Sequence, residues 1–175
     1  MGTRNTYRRF APWDYDFVRV PLTELVEISS NEAYYRLDPD STPKLERINA
    51  ATDPALRLEW AAGNADAVQF SLALPEDFDD TKDVEVSLRA AMAGATDEPT
   101  FTASTFPDEG GTEISDSTGA VSGTDYGWVA ATVSKSDLSS PNVLNVTLTP
   151  DAHSTDALYL TAVRVKIWRQ RQDNQ

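Results

Sequence analysis

The sequence predicts an all-β chain: an antiparallel two-sheet sandwich of jelly-roll type with an extended N-terminal arm. Three observations predict it. From residue 55 onward, apolar residues recur with period two, the mark of half-buried strands. Clusters of Gly, Pro, Asn, Asp and Ser separate these segments into seven or eight short strands. No long stretch sets apolar residues at helical spacing.

The elements follow in order. Leu56, Leu58 and Trp60 alternate with Arg57 and Glu59. Residues 61–67, with Gly63 and Asn64, read as a tight hairpin turn. Val68, Phe70, Leu72 and Leu74 share one face of the next strand, and Pro75 stops it. Residues 75–83 form an acidic loop. Val84, Val86, Leu88, Ala90 and Met92 share a face until Gly94. Residues 100–106 are a Thr- and Phe-rich strand. A long Gly/Ser/Thr/Asp loop over 107–125 holds a short strand at 112–115. Residues 126–134 form a strand, and 135–141 a helical turn that Ser136 caps. Leu144, Val146 and Leu148 mark the strand over 143–149.

The last strand, 157–168, changes phase. Leu158 and Leu160 share one face, while Val163, Val165 and Ile167 fall on the other. A slip of one residue needs a bulge, expected near Thr161–Val163.

Residues 1–54 read differently. Prolines at 12, 21, 39, 43 and 54 interrupt every candidate element. The segment is nonetheless rich in Phe, Trp, Tyr, Leu, Ile and Val, unlike a disordered linker. It reads as an irregular arm (1–54), ahead of a sandwich (55–170) and a polar tail (171–175). Val18–Ile28 is expected as one strand, confined to an edge by Pro21.

Composition narrows the function. The chain has 175 residues, 40% of them hydrophobic, enough for one domain with a core. With no cysteine and one histidine, thiol chemistry and the usual zinc ligand sets are excluded. No apolar run is long enough to span a membrane, and the first residues lack the apolar core of a secretory signal. The net charge is −13, and residues 61–160 alone carry −14. Residues 1–20 carry +2 and residues 161–175 carry +3. Such a body should repel nucleic acid and anionic lipid, leaving the basic termini to meet an acidic partner.

Reaction chemistry is not written in the chain. His153 lies in a turn beside Ser154, without the geometry or oxyanion feature of a nucleophilic site. Glu76, Asp77, Asp79, Asp80 and Asp83 bring hard oxygen ligands together, which could suit calcium, but their spacing is not that of an EF-hand. A solvated acidic turn is the simpler expectation. Among the 28 acids nothing singles out a hydrolytic pair. No catalytic residue, metal site or cofactor is therefore expected, and the chain is not expected to be an enzyme. Aromatics remain. Trp60 shares a face with Leu56 and Leu58 and belongs to the core; Trp168 ends a strand among Arg and Lys and suits an interface; Trp128 is ambiguous.

Two segments carry a family resemblance. Residues 60–79, WAAGNADAVQFSLALPEDFD, and 143–168, VLNVTLTPDAHSTDALYLTAVRVKIW, resemble β-sandwich virion proteins encoded in tailed-phage genomes. The resemblance covers a minority of the chain and departs at Trp168, where Tyr is commoner. It implies a capsid decoration or cement protein on the virion surface. Its partners would be the major capsid protein and copies of itself, as a trimer. In that expectation Arg4, Arg8, Arg9, Phe10, Trp13, Tyr15 and Phe17 anchor it to the shell. The alternative expectation is a carbohydrate-binding sandwich module, with Tyr126 and Trp128 stacking on sugar rings.

Overall fold

A computed structural model describes residues 13–28, 34–48, 55–107, 113–135 and 143–170. Twelve strands run in chain order: β1 (Trp13–Val20), β2 (Val26–Ile28), β3 (Tyr34–Arg36), β4 (Lys44–Ile48), β5 (Ala55–Trp60) and β6 (Val68–Ala73), then β7 (Val84–Met92), β8 (Phe101–Pro107), β9 (Ile114–Ser117), β10 (Gly127–Val133), β11 (Val143–Pro150) and β12 (Leu158–Gln170). They form two six-stranded antiparallel sheets. The first has the order β10-β7-β12-β5-β4, with β1 also paired to β12, and the second the order β3-β2-β6-β11-β8-β9. The chain is thus the two-sheet jelly-roll sandwich that the period-two pattern predicts.

The inner faces of the sheets meet in one core. The first sheet contributes Leu58, Trp60, Val86, Leu88, Leu160 and Val165, and the second Val68, Phe70, Phe101, Leu144, Val146 and Leu148. Trp60 is fully buried; its ring meets Phe101 edge to face at 5.6 Å, and its Nε1–H donates to Asp66 O at 2.8 Å. The buried indole thus leaves no donor unpaired.

Three expectations need correction. The described residues between 13 and 48 are not an irregular appendage: they supply β1 and β4 to the first sheet and β2 and β3 to the second. Nor is Val18–Ile28 one strand. Pro21 has no N–H for the ladder, so β1 ends at Val20. A 3-10 turn (Leu22–Glu24) then carries the chain to the other sheet, with Leu22 and Leu25 buried beneath it. The third correction concerns residues 61–67. Gly63 adopts the expected left-handed conformation (φ 84°), but β5 and β6 belong to different sheets, so the turn is an arch and not a hairpin. His153 O accepts from Gly63 N at 2.6 Å and holds the arch in place.

The phase change in β12 is present. Its register against β7 shifts between Leu160 and Ala162, with Thr161 Oγ1 donating to Arg89 O at 3.2 Å. The slip coincides with a change of neighbour on the opposite edge. β5 pairs with β12 at Leu158–Leu160, and β1 takes over at Val163. The short strand expected at 112–115 is β9, Ile114–Ser117. From Ser136 on, the expected helical turn falls outside the described residues.

Candidate functional site

The outer face of the first sheet brings together four of the sequence-predicted site residues, Tyr15, Phe17, Tyr126 and Trp128. In β12, burial of Val163, Val165 and Ile167 turns Arg164, Lys166 and Trp168 outward. Antiparallel register then sets Arg19 opposite Arg164, Phe17 opposite Lys166 and Tyr15 opposite Trp168. On the far side, β10 buries Ala131 and Val133 and turns Trp128 out, opposite Arg89 of β7. Tyr126 stands just before β10.

Aromatic rings and cations alternate across this face. Arg164 is inserted between two rings, its guanidinium carbon 4.0 Å from the Trp128 centroid and 4.1 Å from that of Phe17. Lys166 Nζ lies 4.6 Å from the Tyr15 centroid and 5.0 Å from that of Trp168. Tyr15 itself meets Phe17 and Trp168 edge to face, at 5.6 Å and 5.5 Å. Arg89 lies 5.4 Å from Tyr126, and Arg57 of β5 lies 3.9 Å from Tyr159. Such contacts contribute about 0.5–1 kcal/mol each when exposed. They also hold the rings in fixed positions on a rigid sheet. Tyr15, Phe17 and Trp128 nonetheless remain 47%, 41% and 46% exposed.

A groove of about 590 Å³ adjoins this strip, lined by Leu22, Ile48, Leu56, Arg89, Tyr126 and Thr161. It opens where β5 gives way to β1 along β12. A second groove, of about 630 Å³, includes Arg19, Glu24, Gln69, Ser71 and Asn145 and contains no Trp or Tyr.

At the β4–β5 end, charges are neutralised in pairs. Arg57 contacts Glu46 at 2.5 Å and Glu59 at 2.9 Å, and Lys44 contacts Glu59 at 3.2 Å. Burial opposes ionisation of Glu46, but hydrogen bonds led by that from Arg57 outweigh it and hold its carboxyl below the usual range.

The other candidates fall elsewhere. Arg4, Arg8, Arg9 and Phe10 lie outside the described residues, and Trp13 begins β1. Trp60 is core and unavailable to a ligand. His153 is 1% exposed, with Nδ1 3.0 Å from Asp151 O, and it forms no dyad with Ser154. The acidic loop is docked, not simply solvated. Arg169 Nε donates to Asp77 at 2.9 Å, and Asp79 N donates to Trp168 O at 2.9 Å. The buried Asp79 accepts from Thr81 Oγ1 at 2.6 Å. Among the described residues, no cluster of three or more His, Asp or Glu is arranged to hold a metal ion.

Sequence reasoning missed Arg164, Lys166, Arg89 and Tyr159 as parts of this surface. The signal for two of them was present in the alternation Arg164-x-Lys166-x-Trp168 after the phase change.

No family model matches the chain, and no curated protein does. Solved structures are similar in fold. The CBM22-1–GH10 modules of a Clostridium thermocellum endo-1,4-β-D-xylanase, complexed with xylohexaose, align with a TM-score of 0.53 at 13% identity, over 91% of this chain. The chain spans 29% of the length of that structure. A family 29 carbohydrate-binding module from Piromyces equi aligns over 93% of this chain and 95% of its own, with 11% identity and a TM-score of 0.46. A family 16 carbohydrate-binding module aligns over 73% of this chain and 88% of its own, with 11% identity and a TM-score of 0.47.

Proposed function

We propose that the chain is a non-catalytic carbohydrate-binding sandwich that receives its glycan on the outer face of the first sheet. One observation carries this reading. Trp128 is 46% exposed on a strand and lies in one strip with Tyr126, Phe17, Tyr15 and Trp168. A sugar ring has apolar C–H faces and a rim of hydroxyls. Fixed aromatic groups suit the faces, and polar side chains between them suit the rim. The adjoining groove offers the concavity that a chain of sugars needs. The xylanase structure of similar fold holds a xylo-oligosaccharide, which agrees with this reading, though that likeness speaks to fold alone.

The test is binding of the intact chain to a glycan array beside Trp128→Ala. A glycan retained by the parent and lost by the variant supports the reading; equal retention overturns it.

A second proposal is the virion role that the resemblance implies. It is favoured by Tyr15 and Phe17, which stay exposed although β1 is paired along its length. Co-purification of the chain with phage particles, lost on Phe17→Ser, would favour it over a sugar ligand.

A further inference from the structure

We infer that the glycan taken by this face is anionic, a uronic-acid polysaccharide whose carboxylate Arg164 receives edge-on. The inference rests on the sugar-binding reading and specifies its ligand class.

Arg164 supplies the main argument. Trp128 and Phe17 lie against its guanidinium, their ring centroids 4.0 Å and 4.1 Å from the central carbon. The rim of the guanidinium carries five N–H donors in one plane. Its Nε is buried and has no hydrogen-bond partner. Among the described residues no carboxylate forms an ion pair with Arg164. Arg164 is half-buried and brings to this face a positive charge that no acid of the described residues pairs, which leaves it to an acceptor that arrives with a ligand. A planar fork matches a carboxylate in the same plane.

The neighbouring cations extend the argument. Arg19 faces Arg164 across the β1–β12 ladder, Lys166 lies over Tyr15 and Trp168, and Arg89 lies over Tyr126. None forms an ion pair among the described residues. Elsewhere on the same sheet Lys44, Arg57 and Arg169 are paired with acids, while the exposed Arg47 of β4 is not. The chain has 28 acids, so a shortage of carboxylates does not explain the difference. The one acid in register with this strip is Glu85, opposite Lys166. It accepts from Ser87 Oγ at 2.8 Å and makes no ion pair with the lysine. The result is a cationic, aromatic strip on a protein of net charge −13, a local field that would attract a polyanion to this face. In a uronic acid the carboxylate projects from the edge of the sugar ring. A ring resting on one of the aromatics would therefore direct it to the adjacent cation.

The experiment is calorimetric titration of the intact chain with oligogalacturonate, oligoglucuronate and oligomannuronate, each paired with its carboxyl-reduced neutral form. The expected result is a preference of about tenfold for at least one acidic form, equivalent to about 1.4 kcal/mol. That preference should shrink with added salt. In Arg164→Lys, which keeps the charge but loses the fork, the preference should largely disappear. Far-ultraviolet circular dichroism confirms that the variant is folded, and Lys166→Gln provides a second variant with the same expected direction. Equal binding of acidic and neutral forms, or a preference unchanged in both variants, overturns the inference and leaves the sugar reading standing. Binding of neither form overturns the inference, while the sugar reading stands or falls on the glycan array. Concentration-dependent self-association that Arg164→Lys abolishes without any glycan bound overturns both, and would assign the face to a second copy of the chain.

Discussion

Arg164 and Trp128 sit on strands separated by β7, yet the guanidinium carbon lies 4.0 Å from the indole centroid. The contact bridges three strands, and Phe17 on a fourth closes it from the other side at 4.1 Å. Residues far apart in sequence therefore form one surface, whose rigidity comes from the sheet beneath.

The core makes the opposite demand on its tryptophan. Trp60→Ala should cost about 3–5 kcal/mol, because it empties a fully buried site and removes the edge contact to Phe101. Trp60→Phe should cost less but still leave Asp66 O without its donor. Urea denaturation of both variants checks the order.

Gly94 is constrained by its surroundings. A Cβ there would fall on the Asp156 carboxylate. That carboxylate accepts from Thr96 N at 2.8 Å, so the clash would cost a hydrogen bond as well as space. Gly94→Ala should therefore destabilise the chain by about 1–3 kcal/mol, read from its denaturation midpoint.

Acid should weaken the fold through two carboxylates. Backbone N–H groups of Asp156 and Thr155 hold the Asp97 carboxyl below its usual value of 3.8. Glu46 is lowered too, where hydrogen bonds led by Arg57 outweigh burial. A group with a depressed folded pKa stabilises above its unfolded value, and that contribution is lost as pH falls through the folded one. Melting temperatures should thus decline progressively below about pH 4. Asp97→Asn should flatten that decline; an identical pH profile would remove Asp97 from the account.

Deleting residues 1–20 should do more than remove an anchor. It would strip β1 from β12 and leave that edge unpaired from Val163 to Gln170. It would also remove Val18 and Val20, which pack against the core. A loss of about 2–3 kcal/mol is expected, with aggregation through the open edge. An unchanged melting temperature would show that β1 is dispensable to the fold.

The legible and illegible parts of the structure divide along sequence separation. Period two revealed the β5–β12 strands because alternation is local, and the phase change in β12 revealed the bulge for the same reason. The turn at 61–67 was legible as a turn, but which sheets it joins depends on pairing with β11 and β12, far downstream. Pro-rich residues 13–48 hid four short strands, each stabilised by long-range partners more than by its own pattern. Tyr15 and Phe17 stood out in the sequence as anchor candidates, and Tyr126 and Trp128 as glycan-stacking candidates. That both pairs belong to one face came from the β1–β12 and β10–β7 registers, which no local signal encodes.

Glycan binding on the outer face of the first sheet is the proposal on which the other readings of this surface depend. Array binding of the intact chain beside Trp128→Ala tests it most directly. Trp128 is 46% exposed, so its loss should leave the melting temperature nearly unchanged. The predicted result is at least one glycan held by the parent and weakened about tenfold or more in the variant. A parent that retains no glycan, or a variant that retains every glycan equally well, would contradict the account.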